Sequence, residues 1–167
     1  MRLTLGLAAC GLVLCASACG GRKDITDVKR REAALLVSEA EFAITLRDWA
    51  RAEPVLSKAV ELCPDTGPYW VSLGSVRMRL SNRDGARAAY RGALKAYQEE
   101  ADADEEDVEP WVQQAYVLAL LGRVDEGRTL LEKTARRFPE SRTLRSFVEG
   151  KQFDAMLANP KFKEMAF

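Results

Sequence analysis

Gly67-Pro68-Tyr69-Trp70, followed by Leu73-Gly74 and then by Ala86, Tyr90 and Ala93, is the stretch whose reading decides the fold. From Gly67 to Tyr97 an aromatic, a large apolar residue and several small residues fall at helical offsets, which describes two antiparallel helices whose backbones approach closely. Trp70, Leu73 and Arg77 share one helical face. Gly74 has no β-carbon, so a second helix comes close there, and this reading brings Ala86 to the contact.

Sliding the chain along itself shows that this stretch is one of several copies. Ala40, Ala52, Leu56, Ala59 and Pro64 stand 34 residues before Gly74, Ala86, Tyr90, Ala93 and Gln98. Trp111, Gln114, Ala115, Leu118, Gly127, Leu131 and Pro139 stand 41 residues after their counterparts, the same period with seven residues inserted. A 34-residue period of tryptophan, leucine-glycine, alanine, aromatic, alanine and proline resembles the tetratricopeptide repeat family, with copies at residues 33–66, 67–100 and 108–141. Arg77 stands where an aromatic is usual, Gln98 replaces the proline, and Gly127 and Thr134 replace the third copy's alanines. The resemblance implies an all-α fold: a helix-turn-helix solenoid of about three repeats.

Such stacks leave an apolar flank that something must cover. After Pro139 the chain gives a helix from Glu140 to Glu149, then Phe153-Asp154-Ala155-Met156-Leu157, and a last turn opened by Pro160-Lys161-Phe162. This resembles the closing segment of bacterial members of the family, so residues 142–167 are expected to cap the stack, with Phe147, Phe153, Leu157 and Phe162 buried. At the other end, Asp24 or Asp27 is the expected cap of the first helix. Pro54 falls near the sixth position of a helix capped by Asp48.

Composition removes several classes of function. Of 167 residues, 47% are hydrophobic, enough for one domain's core. Twenty-five basic residues balance 25 acidic ones, so no net field favours nucleic acid or an anionic membrane. There is no histidine, the commonest general base and metal ligand. No glycine-rich phosphate loop, paired ligand spacing or nucleophile motif occurs, so the expectation is a chain that is not an enzyme and needs no metal, cofactor or small-molecule substrate. The acidic insertion at 101–107 is no calcium loop, because the sixth position lacks glycine and the twelfth is Gln113.

The first residues form a targeting segment. Arg2 precedes an apolar run from Leu3 to Val13, too short to span a membrane comfortably, which leads into Ala16-Ser17-Ala18-Cys19 and a polar tether. Small residues before a cysteine resemble the lipobox of bacterial lipoproteins, which implies a signal peptide at 1–18, palmitate and diacylglycerol on Cys19, and a tether at 19–23. Cys10 sits too near the start and Cys15 follows the bulky Leu14; a cut near Ala18 by ordinary secretory processing is the alternative. With Cys19 lipidated, Cys63 has no partner and reads as a helix-end packing residue.

In the resembled family, first helices line a concave groove that binds peptides or partner helices. Carried across, the groove is Val37, Glu41, Ile44 and Thr45, then Val71, Ser75, Met78 and Arg79, then Val112, Tyr116 and Leu120. The third helix of this set shows a second apolar face at Val112, Tyr116, Ala119 and Leu120, so it is packed on both sides or lines that groove. The carboxylate-gripping positions of the chaperone-tail class hold Val37, Glu41, Ser72, Glu109 and Gln113, which excludes that class. The expected function is a membrane-anchored protein-protein interaction adaptor of the bacterial cell envelope, facing the periplasm and most simply at the outer membrane. It would assist assembly of an envelope complex, similar in plan to lipoproteins that pilot pilus secretins. A structural subunit of such a complex, or a regulator of a cell-wall or proteolytic enzyme, are the other readings.

Overall fold

The computed structural model describes residues 25–167, so the signal segment, the lipobox and Cys19 lie outside the described residues. Three helical hairpins follow one another: α1 (Asp27–Thr45) with α2 (Trp49–Leu62), α3 (Gly67–Arg79) with α4 (Arg83–Ala103), and α5 (Glu109–Leu120) with α6 (Val124–Arg137). Three shorter helices close the chain: α7 (Arg142–Val148), α8 (Gln152–Ala158) and α9 (Pro160–Lys163). The most extensive packing lies within the hairpins, and each hairpin also packs on the next, giving a repeat stack with a C-terminal cap.

The internal period is written into the backbone. Each hairpin turns at a residue with positive φ: Arg47 at 59°, Ser81 at 60° and Gly122 at 76°. The bonds repeat as well, with Arg47, Ser81 and Gly122 donating to Ile44, Met78 and Ala119, and Asp48, Asn82 and Arg123 donating to Ala43, Arg77 and Leu118. This paired pattern satisfies the last carbonyls of a helix and needs a left-handed residue at its corner. Gly122→Ala is expected to cost about 1 to 2 kcal/mol, since L-residues strain there, and its β-carbon would also lie 3.3 Å from the Phe167 carbonyl. A urea midpoint checks it.

Burial follows the same register. Ala52, Ala86 and Gly127 are buried at the hairpin crossings, and Leu56, Tyr90 and Leu131 fill the positions four residues on. Gly127 replaces alanine because a β-carbon would come within 2.9 Å of the Ala115 carbonyl oxygen. Gln114, at the leucine position, is buried but satisfied, donating to the Tyr97 carbonyl at 3.2 Å. Arg77 takes the aromatic position to bind across hairpins: it donates to Glu53 at 2.9 Å, to the Ser57 hydroxyl and to the Gly85 carbonyl.

Two local expectations need correction. The cap of α1 is Thr26, whose hydroxyl accepts from the Lys29 amide at 3.4 Å; Asp27 is already inside the first turn, where its charge suits the helix dipole. Gly74 is met by the ring of Tyr90 rather than by Ala86, and an added β-carbon would sit 2.3 Å from that ring. The glycine makes room for an aromatic side chain. Pro54 is the sixth residue of α2, capped by Asp48 as expected.

The insertion lengthens α4 and ends in a loop where the Asp104 and Asp107 carboxylates accept from the Glu106 and Glu109 amides at 3.1 and 2.9 Å. In the cap, Phe153 and Phe162 are buried and Phe147 and Leu157 are half-buried against the same core. Cys63 ends α2 with 1% exposure. Burial pushes its thiol up, the opposite of what a reactive thiolate needs.

Candidate protein-binding site

The surface formed by α3 and α5 carries most of the residues the repeat pattern assigns to a groove. Both helices begin with a proline in the first turn, which fixes their entry without costing a bond. Val71 and Met78 on α3 and Tyr116 on α5 are half-buried in one cluster with Val112 and Leu120. Ser75 spends its hydroxyl on the Val71 carbonyl at 2.9 Å. On α1, Val37 and Ile44 pack into the first hairpin's core, whereas Glu41 and Thr45 face solvent.

The segment from Pro160 to Phe167 lies on the α3–α5 part of this surface. The Phe162 ring meets Tyr116 edge-on, 5.7 Å between centroids. Arg79 pairs with Glu164 and also stands over the Trp49 ring at 5.6 Å. The Tyr90 hydroxyl donates to the Met165 carbonyl at 2.8 Å, and the Phe167 amide donates to the Leu120 carbonyl at 3.0 Å. The Phe167 ring is edge-on to Tyr90 and lies under the guanidinium groups of Arg83 and Arg87, at 4.8 and 4.2 Å. Val37 and Ile44 belong instead to the cluster between the first two hairpins.

The structure thus brings the repeat-two and repeat-three residues together around a segment of the same chain and leaves the repeat-one residues beside it. Sequence reasoning named Phe162 but missed Met165, Phe167, Arg83 and Arg87. The available signal was the pair of apolar residues, Met165 and Phe167, that follow the charged turn Lys163-Glu164. Tyr90 was legible only as a packing residue, because its hydroxyl's partner lies 75 residues away.

Burial pushes the Tyr90 phenol up to about 12, with the Ser75 hydroxyl pulling weakly the other way. Tyr97 is also pushed up to about 12, by burial and then by Glu100 and Glu109. An unfolded tyrosine titrates near 10. Between those values the unfolded chain releases protons that the folded chain keeps. Stability is therefore expected to hold below pH 10 and to fall as pH rises from about 10 to about 12. Urea midpoints across that range check this, and Tyr97→Phe should make the fall shallower.

Away from this surface, a cleft of about 560 Å³ lies between the start of α1, the α2–α3 turn and α4, lined by Ile25, Lys29, Trp70, Gly92 and Lys95 among others. Its walls mix Lys29 and Lys95 with Glu61, Asp65 and Glu99, so it presents no single charge. Among the described residues no group of three or more His, Cys, Asp or Glu side chains could hold a metal. Among the described residues no helix is long and apolar enough to cross a membrane.

A sequence profile described as a tetratricopeptide repeat matches residues 111–141. That span covers the third hairpin, α5 and α6, and the helix pairing of the first two hairpins repeats it. Together they support assignment to the tetratricopeptide repeat family and a general role in protein-protein interaction. No curated protein matches the chain in sequence.

Proposed function

We propose that this chain is a lipid-anchored adaptor of the bacterial cell envelope, tethered through Cys19 and facing the periplasm, most simply at the outer membrane. It captures a protein segment on the surface of α1, α3 and α5 and so assists assembly of an envelope complex. The observation that carries this reading is the way the α3–α5 surface holds an aromatic segment that begins as the helical turn α9. Tyr116 supplies a ring, Leu120 a backbone acceptor, Tyr90 a hydroxyl donor and Arg79 a charge. A partner segment with similar chemistry enters beside Val37, Glu41, Ile44 and Ser75, and competes with the chain's own tail for Val71, Met78, Arg79, Val112, Tyr116 and Leu120.

Photo-crosslinking in cells tests the adaptor, with probes at Glu41 and Tyr116 and a control at Glu105. A discrete envelope protein captured at Glu41 or Tyr116, but not at Glu105, is the expected result. Capture of the chain's own tail alone at Tyr116, with nothing at Glu41, overturns it. The anchor is tested separately by labelling with palmitate, which Cys19→Ser should abolish together with membrane fractionation. Label retained in that variant would shift the anchor to Cys10 or Cys15.

A structural subunit that joins its complex through the flanks of the stack is the second reading. One specific observation favours it: Val28, Leu35, Phe42 and Leu46 are large apolar residues of α1 and its cap that face solvent.

A further inference from the structure

The last residues of the chain form a self-contained turn whose outward groups meet named partners on the repeats. The Asn159 side chain accepts from the Lys161 amide at 2.9 Å, Pro160 opens the turn, and the Met165 and Ala166 amides donate to the Phe162 carbonyl at 2.9 and 3.0 Å. A turn that satisfies its own amides and holds a fixed φ at proline loses little freedom on docking. Its outward contacts are of two kinds. The Met165 carbonyl and the Phe167 amide bond to Tyr90 and Leu120, as the main chain of other residues there would. Phe162 against Tyr116, Glu164 against Arg79 and Phe167 beneath Arg83 and Arg87 depend on side chains, so they read sequence. The tail does not exhaust the site. Arg83 and Arg87 face the Phe167 ring, and among the described residues neither guanidinium is paired with a carboxylate, whereas that of Arg79 is.

We infer that the segment captured on this surface is a short, proline-opened turn of the form Phe-x-Glu-x-x-Phe that carries an acid beside its second aromatic. This rests on the adaptor reading above and names the partner's chemistry. The tail fills the seat with Phe162, Glu164 and Phe167 at those spacings, so a segment with the same spacings makes the same contacts. It gains where the tail is deficient. A carboxylate next to the second ring reaches the two unpaired guanidinium groups with charge-assisted bonds, while the ring keeps its cation–π contact. That pairing offsets part of the advantage that the tail has from being tethered. A basic segment is rejected, because Arg79, Arg83 and Arg87 lie along its path.

Synthetic peptides of residues 159–167 with blocked ends, titrated into the full-length Phe162→Ala/Phe167→Ala chain, test this recognition. Reversing the peptide's charge with Glu164→Lys should weaken binding about fivefold, and Arg79→Glu in the chain should invert that preference. Adding one aspartate to the peptide after Phe167 should tighten binding about threefold. That gain should vanish when the chain carries Arg83→Gln/Arg87→Gln. The chain with its native tail, where that tail competes, should give the same ranking at lower affinity, so the test stands even if the double variant folds poorly. A preference at position 164 that ignores Arg79→Glu, or a gain from aspartate that persists without the two arginines, overturns the proposal and leaves the adaptor reading in place. Failure of every peptide to bind either chain overturns the seat itself, while crosslinking from Glu41 judges the adaptor reading separately. A native-tailed chain that takes the seat of the double variant in place of the peptide assigns the site to a second copy and overturns the proposal as well.

Discussion

Alanine in place of Tyr90 is expected to lower the stability of the domain by about 4 kcal/mol, the loss that follows from emptying a fully buried aromatic site. The side chain is 0% exposed and its ring fills the space over Gly74. It also holds the tail, through the 2.8 Å bond to the Met165 carbonyl and the edge contact with Phe167. The partner change, Gly74→Ala, is expected to cost about 3 kcal/mol, because overpacking a rigid contact is costly and the new β-carbon would lie 2.3 and 2.5 Å from ring atoms. Combining the two separates this contact from every other cause. With the ring gone, the three atoms nearest that β-carbon are gone as well, and alanine at 74 should recover most of the cost and gain up to about 1 kcal/mol of helix propensity. Urea denaturation of the four chains measures the cycle. Equal costs of Gly74→Ala in both backgrounds would mean that the ring does not occupy that space.

The same pair shows what could be read from the chain and what could not. The positions of the hairpins, their turns and their small crossing residues recur at 34 and 41 residues, and Arg47, Ser81 and Gly122 carry that period into backbone angles. Periodicity is a local signal and survives in sequence. Which residue meets Gly74 depends on how far a side chain reaches between helices, and the pattern alone favoured Ala86 over Tyr90. The cap at Thr26 turned on an extended backbone at that residue, which charge alone did not reveal. That Val71, Met78 and Tyr116 cluster on α3 and α5 was legible as a helical face, but their neighbours in the tail were not. Met165 and Phe167 return to Tyr90 and Leu120 across dozens of residues, and no spacing rule encodes that path. The stripe on α1 escaped notice for another reason: Val28, Leu35 and Phe42 alternate with buried alanines, so the helix is apolar on two sides and has little net amphipathicity.

Ending the chain at Asn159 is expected to convert the α3–α5 surface from a filled seat into a binding site. The removed segment buries Phe162 and sets Met165 and Phe167 into the same core, while ordering eight residues opposes that gain, so its net hold is modest. A synthetic peptide of residues 159–167 should bind the shortened chain with a dissociation constant of roughly 10 µM and raise its melting temperature by mass action. The intact chain should bind the same peptide about a hundredfold more weakly, because the tethered tail competes at an effective concentration near the millimolar range. Calorimetry on both chains reads the ratio. If truncation prevents folding, the full-length Phe162→Ala/Phe167→Ala chain serves instead, since it keeps Pro160 and the Arg79–Glu164 pair but removes the two rings set against Tyr116 and Tyr90. Equal affinity in open and intact chains would mean that the peptide sits elsewhere and that the tail is only a cap. A large ratio would mean that any partner using this surface must outcompete the tail, which makes the tail's hold a determinant of how tightly that partner binds.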